Sequence, residues 1–588
     1  MTSNRPAIKT VLLPLLLAVV IGALAGFGAV FFRWLIDVGI NLFWAGEGGF
    51  VLRYEQASVF WRVGIPVLTG LILGPLLHFG APEIRGPGVP EVMAALAQRD
   101  GIIRHRVTLA KSFATATFIA SGCSVGREGP IVQIGASIGS SLCQLFKLGP
   151  DNRKLAVACG AAAGIAATFQ APMAGTLFVV EILLFDLEVA SLSNIVIAAV
   201  TGTVVSRSFW SEGILFQVPQ FVLGHPTELL LYLGLGLMAG LLGLILMALI
   251  FGINKGLDHL KLPGWITPAL GGLIIGILGI YYPYALGVGY EAIIEVFKGH
   301  FLFSSALILL LVKLLATSTC IGTGMSGGVF APSLFLGAML GTMFGNIALL
   351  IWPESPMLPS HFALVGMGAM VAGTTLAPIT AIFTIFELSY NYEIILPLML
   401  ACIPSIIVVR LMHGFSIYET KLLMQGIRIV KGHDANRLRA LKIKNYLCLD
   451  SPVMSESTPL AEILDQVLSN PFPHFMVNDE YGKLVGILTL RDVRAYLNKP
   501  GAADSTITAA DLMVREVETV AEWDNLEEAF QLFSRYGVSF LPVMRDAMPG
   551  IAIGILKKDD LITAYNQHIL KDNCDPASDF VCRLIEKK

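Results

Sequence analysis

A short charged stretch, Gly126-Arg127-Glu128-Gly129-Pro130, interrupts an apolar segment that runs from Val107 past Leu145. The only other charge in that segment is Lys111. Charged side chains at membrane depth are costly and usually serve a function. Glycines expose backbone N–H groups, and proline is favoured in the first turn of a helix. We therefore predict a helix N-terminus that can hold an anion, with the Glu128 carboxylate competing for the anion's place.

The alternative is a glycine-rich helix start whose Arg127 and Glu128 merely pair with each other or with the lipid interface. The composition of the whole chain argues against it. Of the 588 residues, 55% are hydrophobic and only 14% are charged, whereas soluble domains carry about 25% charged residues. We conclude that the chain is a polytopic membrane protein with lipid around it.

The two ends of the apolar region predict its orientation. Arg5 and Lys9 precede an uninterrupted apolar run from Val11 to Phe32, which we interpret as an uncleaved first span. Basic residues also follow the last apolar piece, at Arg428, Lys431, Arg437, Arg439, Lys442 and Lys444. Since positive charge collects on the cytoplasmic side, both termini are expected in the cytoplasm.

The same composition divides the chain into three parts. Residues 1–425 are expected to form a transmembrane anion-transport domain, residues 426–444 a basic linker, and residues 445–588 a soluble domain. Glycine and proline clusters cut many apolar segments to half the length of a span, which predicts broken helices.

Two sets of landmarks recur in the membrane region in the same order. The Pro-to-Glu spacing is the same in each half, and so is the Pro-to-Gly spacing ahead of it: Pro172 to Glu181 and Pro378 to Glu387, Pro130 to Gly135 and Pro332 to Gly337. Chance similarity between apolar sequences is the alternative. Repeated halves with broken helices predict a binding site at their interface, and helix N-termini there favour an anion.

The soluble part contains a second repeat. Residues 459–464 precede 486–493, and residues 525–530 precede 554–561 with a similar pattern. Each unit is predicted as helix, apolar strand, strand and helix, and two such units are expected to pack together because one is too small to bury a core.

The sequence lacks the motifs of two other classes of protein. An ATP-driven pump needs a GxxxxGK[ST] loop and a metalloenzyme of the HExxH type needs that motif, and the chain has neither. The eight cysteines are scattered without metal-ligand spacing, and reduced thiols are expected. We predict no enzyme activity, no metal, no cofactor in the transport domain and no nucleic-acid partner.

Four motifs together resemble the CLC family of chloride channels and anion/proton exchangers, over about residues 11–425, followed by a pair that resembles CBS domains. They are Gly86-Pro87-Gly88-Val89-Pro90-Glu91, Gly126-Arg127-Glu128-Gly129-Pro130, Gly328-Val329-Phe330-Ala331-Pro332 and Tyr418. The resemblance implies an all-α polytopic membrane protein with inverted repeats and broken helices, plus a cytosolic α/β CBS pair. It also implies a homodimer in a bacterial inner membrane that passes chloride or similar monovalent anions, each subunit with its own pore.

The resemblance also assigns roles to single residues. Glu128 is implied as the gate, whose side chain swings away to let the anion pass. The backbone N–H groups of Val329 and Phe330 would hold the central anion, and the Tyr418 hydroxyl would form the inner constriction. The remaining anion-binding positions implied by the motifs are Pro87, Gly88, Arg127 and Gly129.

The sequence departs from the family pattern at Pro87. Members commonly have serine there, so the hydroxyl that would coordinate the central anion is absent. Members with proline, such as plant vacuolar ones, tend to prefer nitrate, and we expect altered selectivity. The alternative is that Pro87 is merely a favourable residue in the first turn of a helix.

A second departure follows Glu181. Exchangers typically carry another glutamate directly after it as an inner proton station, and this chain has Ile182. We therefore favour channel-like conduction without proton coupling. The alternative is a chloride/proton antiporter with a non-standard inner path, for instance through Asp186, which shares the helical face of Ile182.

The CBS-like pair carries a pattern that contacts ribose in related proteins. Thr489 and Asp492 match it, whereas the second unit keeps Asp560 but has Lys557 in place of the threonine. The resemblance implies a regulatory adenine nucleotide, and the alternative is a purely structural pair.

Overall fold

The structure is a computed structural model, which describes residues 5–184, 189–210, 226–353, 357–427, 438, 441–449, 451–470, 472–498, 506–515, 517–545 and 550–565. The chain forms two compact units, residues 1–429 and 430–588. Asp186 lies outside the described residues, as do Arg428, Lys431, Arg437 and Arg439 of the predicted linker. The predicted domain boundaries at 425 and 444 therefore stay predictions.

The regular elements of unit 1 among its described residues are all helical. Its α-helices are α1 (Arg5–Phe43), α2 (Phe50–Gln56), α3 (Val59–Pro75), α4 (Val89–Gln98), α5 (Arg106–Ala120), α6 (Glu128–Leu145), α7 (Pro150–Phe169), α8 (Pro172–Phe178), α9 (Val189–Phe209), α10 (Leu229–His259), α11 (Thr267–Tyr281), α12 (Tyr290–Phe297), α13 (Phe303–Gly322), α14 (Phe330–Ile351), α15 (Pro359–Thr375), α16 (Pro378–Ser389), α17 (Ile395–Met412) and α18 (Ile417–Met424). Short π-helical turns follow α3 and α8, at Leu76–Gly80 and Val179–Leu184.

The expected mixture of full and broken helices is confirmed. Among the described residues, seven helices are long and apolar enough to cross a membrane, and α11 and α16 are shorter apolar helices. Helix α1 continues past the predicted end of the first span at Phe32 and ends at Phe43. Arg33 is accommodated within it because the guanidinium carbon lies 4.7 Å from the centre of the Trp210 ring. Helix α14 begins at Phe330, and Pro332 is tolerated there because it lies in the first helical turn.

The matched glycines of the two halves lie at close helix crossings. A Cβ added to Gly135 on α6 would lie 2.1 Å from the carbonyl oxygen of Gly160 on α7. A Cβ added to Gly337 on α14 would lie 2.2 Å from the carbonyl oxygen of Gly366 on α15. Small residues let helix backbones approach this closely. The recurring landmark is thus a recurring helix pair.

The matched glutamates bind across the two halves. Glu181 accepts hydrogen bonds from the N–H groups of Ile379 at 3.2 Å and Thr380 at 2.7 Å, at the start of α16. Glu387 at the end of α16 accepts from the N–H groups of Met173 at 3.0 Å and Ala174 at 2.7 Å, at the start of α8. Each carboxylate satisfies N–H groups that have no partner within the other helix. The internal repeat is therefore confirmed as a structural one.

Unit 2 contains two three-stranded sheets with the same topology. Its elements are β1 (Val453–Ser455), α19 (Leu460–Ser469), β2 (His474–Asn478), β3 (Leu484–Thr489), α20 (Leu490–Leu497), α21 (Ala509–Leu512), β4 (Val520–Ala521), α22 (Leu526–Tyr536), β5 (Phe540–Met544), β6 (Ala552–Lys557) and α23 (Lys558–Tyr565). β1 is parallel to β2 and β2 antiparallel to β3, and β4, β5 and β6 repeat this order. The predicted helix, strand, strand, helix pattern is confirmed, with a short parallel strand ahead of each unit.

Candidate functional site

Three helices of unit 1 begin at glycine-rich breaks. The first break, residues 86–88, precedes α4; the second, residues 126–129, contains the start of α6; the third, residues 326–330, contains the start of α14. N–H groups in the first turn of a helix have no partner inside it, and the helix dipole adds partial positive charge there. Where such breaks meet, the backbone itself can hold an anion.

Backbone hydrogen bonds join the three breaks. The N–H of Gly86 donates to the carbonyl of Met325 at 3.1 Å, and the N–H of Gly327 donates to the carbonyl of Gly86 at 3.2 Å. Gly126 and Gly328 each donate to the other's carbonyl oxygen at 2.7 Å. These bonds link segments from both halves of the repeat, so the two halves meet where the sequence predicts a binding site.

The glycines are needed because the breaks lie too close for side chains. A Cβ added to Gly129 would lie 2.3 Å from the carbonyl oxygen of Pro87. Gly88 has a φ of +89°, which favours glycine, and a Cβ there would lie 2.9 Å from Oε1 of Gln133. Alanine at either position would separate the first break from the second.

Glu128 is the first residue of α6 and only 2% exposed. Its Oε2 accepts a hydrogen bond from the backbone N–H of Ala331 at 3.2 Å, in the first turn of α14. Its Oε1 accepts from the Tyr290 hydroxyl at 2.6 Å and lies 3.9 Å from Nε of Arg127. The carboxylate therefore lies at the N-terminus of α14, a kind of position where backbone N–H groups can bind an anion.

Val329 and Phe330, for which the resemblance implies a role at the central anion, are both buried at the start of α14. The Phe330 ring packs against Phe169 at 5.7 Å and Phe178 at 6.3 Å between ring centres. The third break thus has an apolar wall beside its N–H groups. Amide dipoles in such surroundings can bind a weakly hydrated anion without trapping it as an ion pair would.

A buried lysine donates hydrogen bonds to backbone carbonyls at the first break. The ammonium of Lys111, on α5, donates to the carbonyls of Ile84 at 2.9 Å and Gly86 at 2.7 Å. The Ser326 hydroxyl of the third break donates to the same Ile84 carbonyl at 2.8 Å. Lys111 is thereby assigned a structural contact that the sequence did not predict.

The second half contains an equivalent lysine and an equivalent break. The ammonium of Lys313, on α13, donates to the carbonyls of Ala285 at 3.0 Å and Gly287 at 2.9 Å. Residues 287–289, a fourth break, then lead into α12, whose first residue is Tyr290. Gly287-Val288-Gly289-Tyr290 ahead of a buried lysine repeats Gly86-Pro87-Gly88-Val89 ahead of Lys111. This repeat is the signal by which Tyr290 could have been found.

Tyr418 is 1% exposed and lies on α18. Its hydroxyl is within range of an electrostatic interaction with the Glu128 carboxylate. One turn further on, the Lys421 ammonium donates to the carbonyl of Arg85 at 3.0 Å and forms an ion pair with Glu91. These contacts fix α18 against the first break. The family resemblance implied a role for Tyr418, and neither it nor the sequence pattern indicated the Lys421–Glu91 pair that positions its helix.

Comparison with known proteins decides which family has this arrangement. The family model described as voltage gated chloride channel matches residues 69–410. The chain belongs to the CLC family. The model of the CBS domain matches residues 444–499 and 509–567, so the C-terminal unit of this CLC protein contains a CBS pair.

Relatives of this CLC protein are named both as channels and as exchangers. The voltage-gated ClC-type chloride channel ClcB of Escherichia coli strain SMS-3-5 is 34% identical over 411 residues, 69% of this chain and 97% of that protein. The H(+)/Cl(−) exchange transporter ClcA of Vibrio parahaemolyticus is 34% identical over 421 residues, 69% of this chain and 89% of that protein. The solved structure of a slow cyanobacterial Cl−/H+ antiporter covers 70% of this chain and 97% of its own, with a TM-score of 0.64 and 26% identity. Anion transport is therefore the function of the family, and this chain is a multi-span membrane protein with bacterial relatives.

The two departures from the CLC pattern lie at described positions. Pro87 is buried and precedes Gly88, the residue before α4, so it is not in the first turn of a helix. The structural alternative for Pro87 is wrong, and Pro90 has that role instead. Ile182 is 3% exposed in the π-helical turn, next to the Glu181 that caps α16.

Thr489 and Asp492 of the CBS pair bind each other. The N–H and the hydroxyl of Thr489 donate to Oδ2 of Asp492 at 2.9 Å and 2.5 Å, which caps α20. Asp560 lies half-buried in the first turn of α23. This geometry orders the two residues of the ribose pattern without assigning them a ligand.

An aromatic cluster lies beside that cap. His474 pairs with Thr489 in the sheet, is 1% exposed, and packs against the Phe540 ring with 4.4 Å between ring centres and an angle of 33° between the ring planes. Within the described part of the chain, neither ring nitrogen of His474 has a hydrogen-bond partner. Burial, together with the charge of Lys557, lowers the pKa of His474 to about 4, so the ring is neutral at pH 7.

Proposed function

We propose that the chain conducts chloride or similar monovalent anions through a path gated by Glu128. One contact carries this proposal. The carboxylate of Glu128, on α6, accepts a hydrogen bond from the N–H of Ala331 in the first turn of α14. An anion on the path needs that N–H, so the carboxylate and the anion exclude each other. Efflux of radiolabelled chloride from liposomes containing the purified protein tests the proposal, and no efflux above that of empty liposomes would contradict it.

We further propose that conduction is channel-like and not coupled to protons. Support comes from Ile182, an apolar side chain at the inner proton position, and from Glu181, whose carboxylate is engaged by α16. A chloride/proton antiporter is the second candidate. The named exchanger among the relatives favours it.

The protein is proposed to act as a homodimer in a bacterial inner membrane, with both termini in the cytoplasm. The CLC membership and the bacterial relatives support this placement. The first unit carries the anion path, and lipid surrounds its exposed apolar side chains, of which Leu350 at 82% and Ile72 at 72% exposure are examples.

Pro87→Ser is expected to raise the preference for chloride over nitrate. The first break contacts Gly129 through the Pro87 carbonyl, so a serine there would place a hydroxyl beside the same path. A hydrogen bond to a charged group contributes about 1.5–3 kcal/mol, which is enough to change a permeability ratio about tenfold. Parallel chloride and nitrate fluxes in liposomes measure the ratio, with Pro90→Ser as the control on α4. Equal ratios in Pro87→Ser and the native protein would refute the role of Pro87.

The CBS pair is proposed to bind a regulatory adenine nucleotide. The buried, unpartnered His474 ring, the Phe540 ring packed against it and the ordered Thr489 support a site for a base and a ribose. Calorimetric titration of the whole protein with ATP, ADP and AMP is expected to give a binding signal that Thr489→Val removes. Absence of a signal with all three nucleotides would favour a purely structural pair.

A further inference from the structure

A fourth helix N-terminus, that of α12, lies beside the proposed anion path. Gly289, which precedes α12, has a φ of +92°, close to the +89° of Gly88 before α4. Each glycine is the last residue of a break whose first residue, Gly86 or Gly287, accepts a hydrogen bond from a buried lysine through its carbonyl. Tyr290 therefore occupies the repeat position of Val89, but it carries a phenol where the first half has an aliphatic side chain.

That phenol reaches the gate residue directly. The Tyr290 hydroxyl donates to Oε1 of Glu128 at 2.6 Å, across 162 positions of sequence. The guanidinium carbon of Arg127 lies 5.2 Å from the centre of the Tyr290 ring. Arg127 thus holds the ring on one side while the hydroxyl holds the carboxylate, and Ala331 binds the other carboxylate oxygen.

We propose that Tyr290 is a positioning residue that latches the ionised Glu128 side chain in the anion's place, a role that rests on the proposed gating by Glu128. The hydroxyl donates a hydrogen bond that is strongest when the carboxylate is charged. Protonation of Glu128 weakens that bond, and the side chain is released together with its charge. The latch therefore sets the pH at which the path opens.

Several charged or titratable groups besides Tyr290 act on Glu128. Arg127 lies next to it on the N-terminal side of α6, and Lys313 on α13 and Tyr418 on α18 lie within electrostatic reach. Of the side chains in the described residues, Tyr290 is the one that donates a hydrogen bond to the Glu128 carboxylate. Removal of its hydroxyl leaves the other three groups in place.

Tyr290→Phe tests the latch. Loss of a hydrogen bond to a charged group is expected to shift the balance toward the open gate by about tenfold or more. The pH of half-maximal chloride flux should then rise by about one unit, with the maximal flux at acid pH unchanged. Chloride efflux from liposomes is measured from pH 4 to pH 8 for the native protein, Tyr290→Phe and the control Tyr284→Phe, whose ring packs on Phe301 instead.

The Glu128→Gln background separates the latch from the gate. If Glu128→Gln conducts independently of pH and Tyr290→Phe adds nothing to it, the two residues act through each other, as proposed. An unshifted pH profile in Tyr290→Phe, with Glu128→Gln behaving as a gate variant, would overturn the latch alone. Reduced flux in Tyr290→Phe at every pH and in both backgrounds would also overturn it, because Tyr290 would then line the path. A Glu128→Gln protein that keeps the native pH profile would overturn the gate itself.

Discussion

Glu128→Gln is expected to raise chloride flux at neutral pH to the level seen in acid and to remove its dependence on pH. Glutamine keeps the shape of the side chain but cannot carry the negative charge that the first turn of α14 attracts. In the native protein that charge accepts hydrogen bonds from the Ala331 N–H and the Tyr290 hydroxyl. Without it, the anion no longer competes with a fixed carboxylate for the same N–H groups.

Efflux of radiolabelled chloride from liposomes between pH 4 and pH 8 measures this effect. Glu295→Gln is a matched control, because Glu295 pairs with Lys298 and His300 away from the four breaks. The control should keep the native pH profile. A native profile in Glu128→Gln would show that the pH dependence arises elsewhere and would remove Glu128 from the gate.

Local sequence was sufficient to predict the breaks and the repeat. Glycine and proline act on the backbone where they stand, so their clusters were identifiable as breaks between helices, and residues 126–130 as a helix start, without knowledge of the fold. The spacing from Pro172 to Glu181 and from Pro378 to Glu387 was visible for the same reason. The family resemblance then implied which of these helix starts face one another.

Contacts between distant segments could not be predicted from local patterns. Tyr290 reaches Glu128 across 162 positions, and Lys421 reaches Glu91 across 330. The residues next to Tyr290 and Lys421 in the sequence do not indicate these partners, because the partners are determined by how the two halves pack. Glu181 and Glu387 were recognised as landmarks, but their exchange of helix caps depends on the same packing.

Packing contacts bear directly on whether this chain has the inner half of a proton path. Glu181 is the acidic residue nearest to Ile182 in the sequence. Its Oε1 accepts from the N–H of Ile379 at 3.2 Å, and its Oε2 accepts from the N–H and the hydroxyl of Thr380 at 2.7 Å each. The carboxylate is thus engaged as a cap of α16, where it satisfies N–H groups that have no partner within that helix. Ile182 beside it has no group to titrate.

A chloride gradient is therefore expected to move chloride without driving protons uphill. Liposomes carrying an outward chloride gradient, with a pH-sensitive dye inside and a chloride electrode outside, measure both fluxes at once. Glu128→Gln provides the control for leak, because it keeps the chloride path while removing the carboxylate that would carry the proton. Only proton uptake that this variant abolishes counts as coupling. Sustained uphill uptake at a fixed ratio to chloride would make the protein an exchanger, and would require the inner proton path to pass around both Glu181 and Ile182.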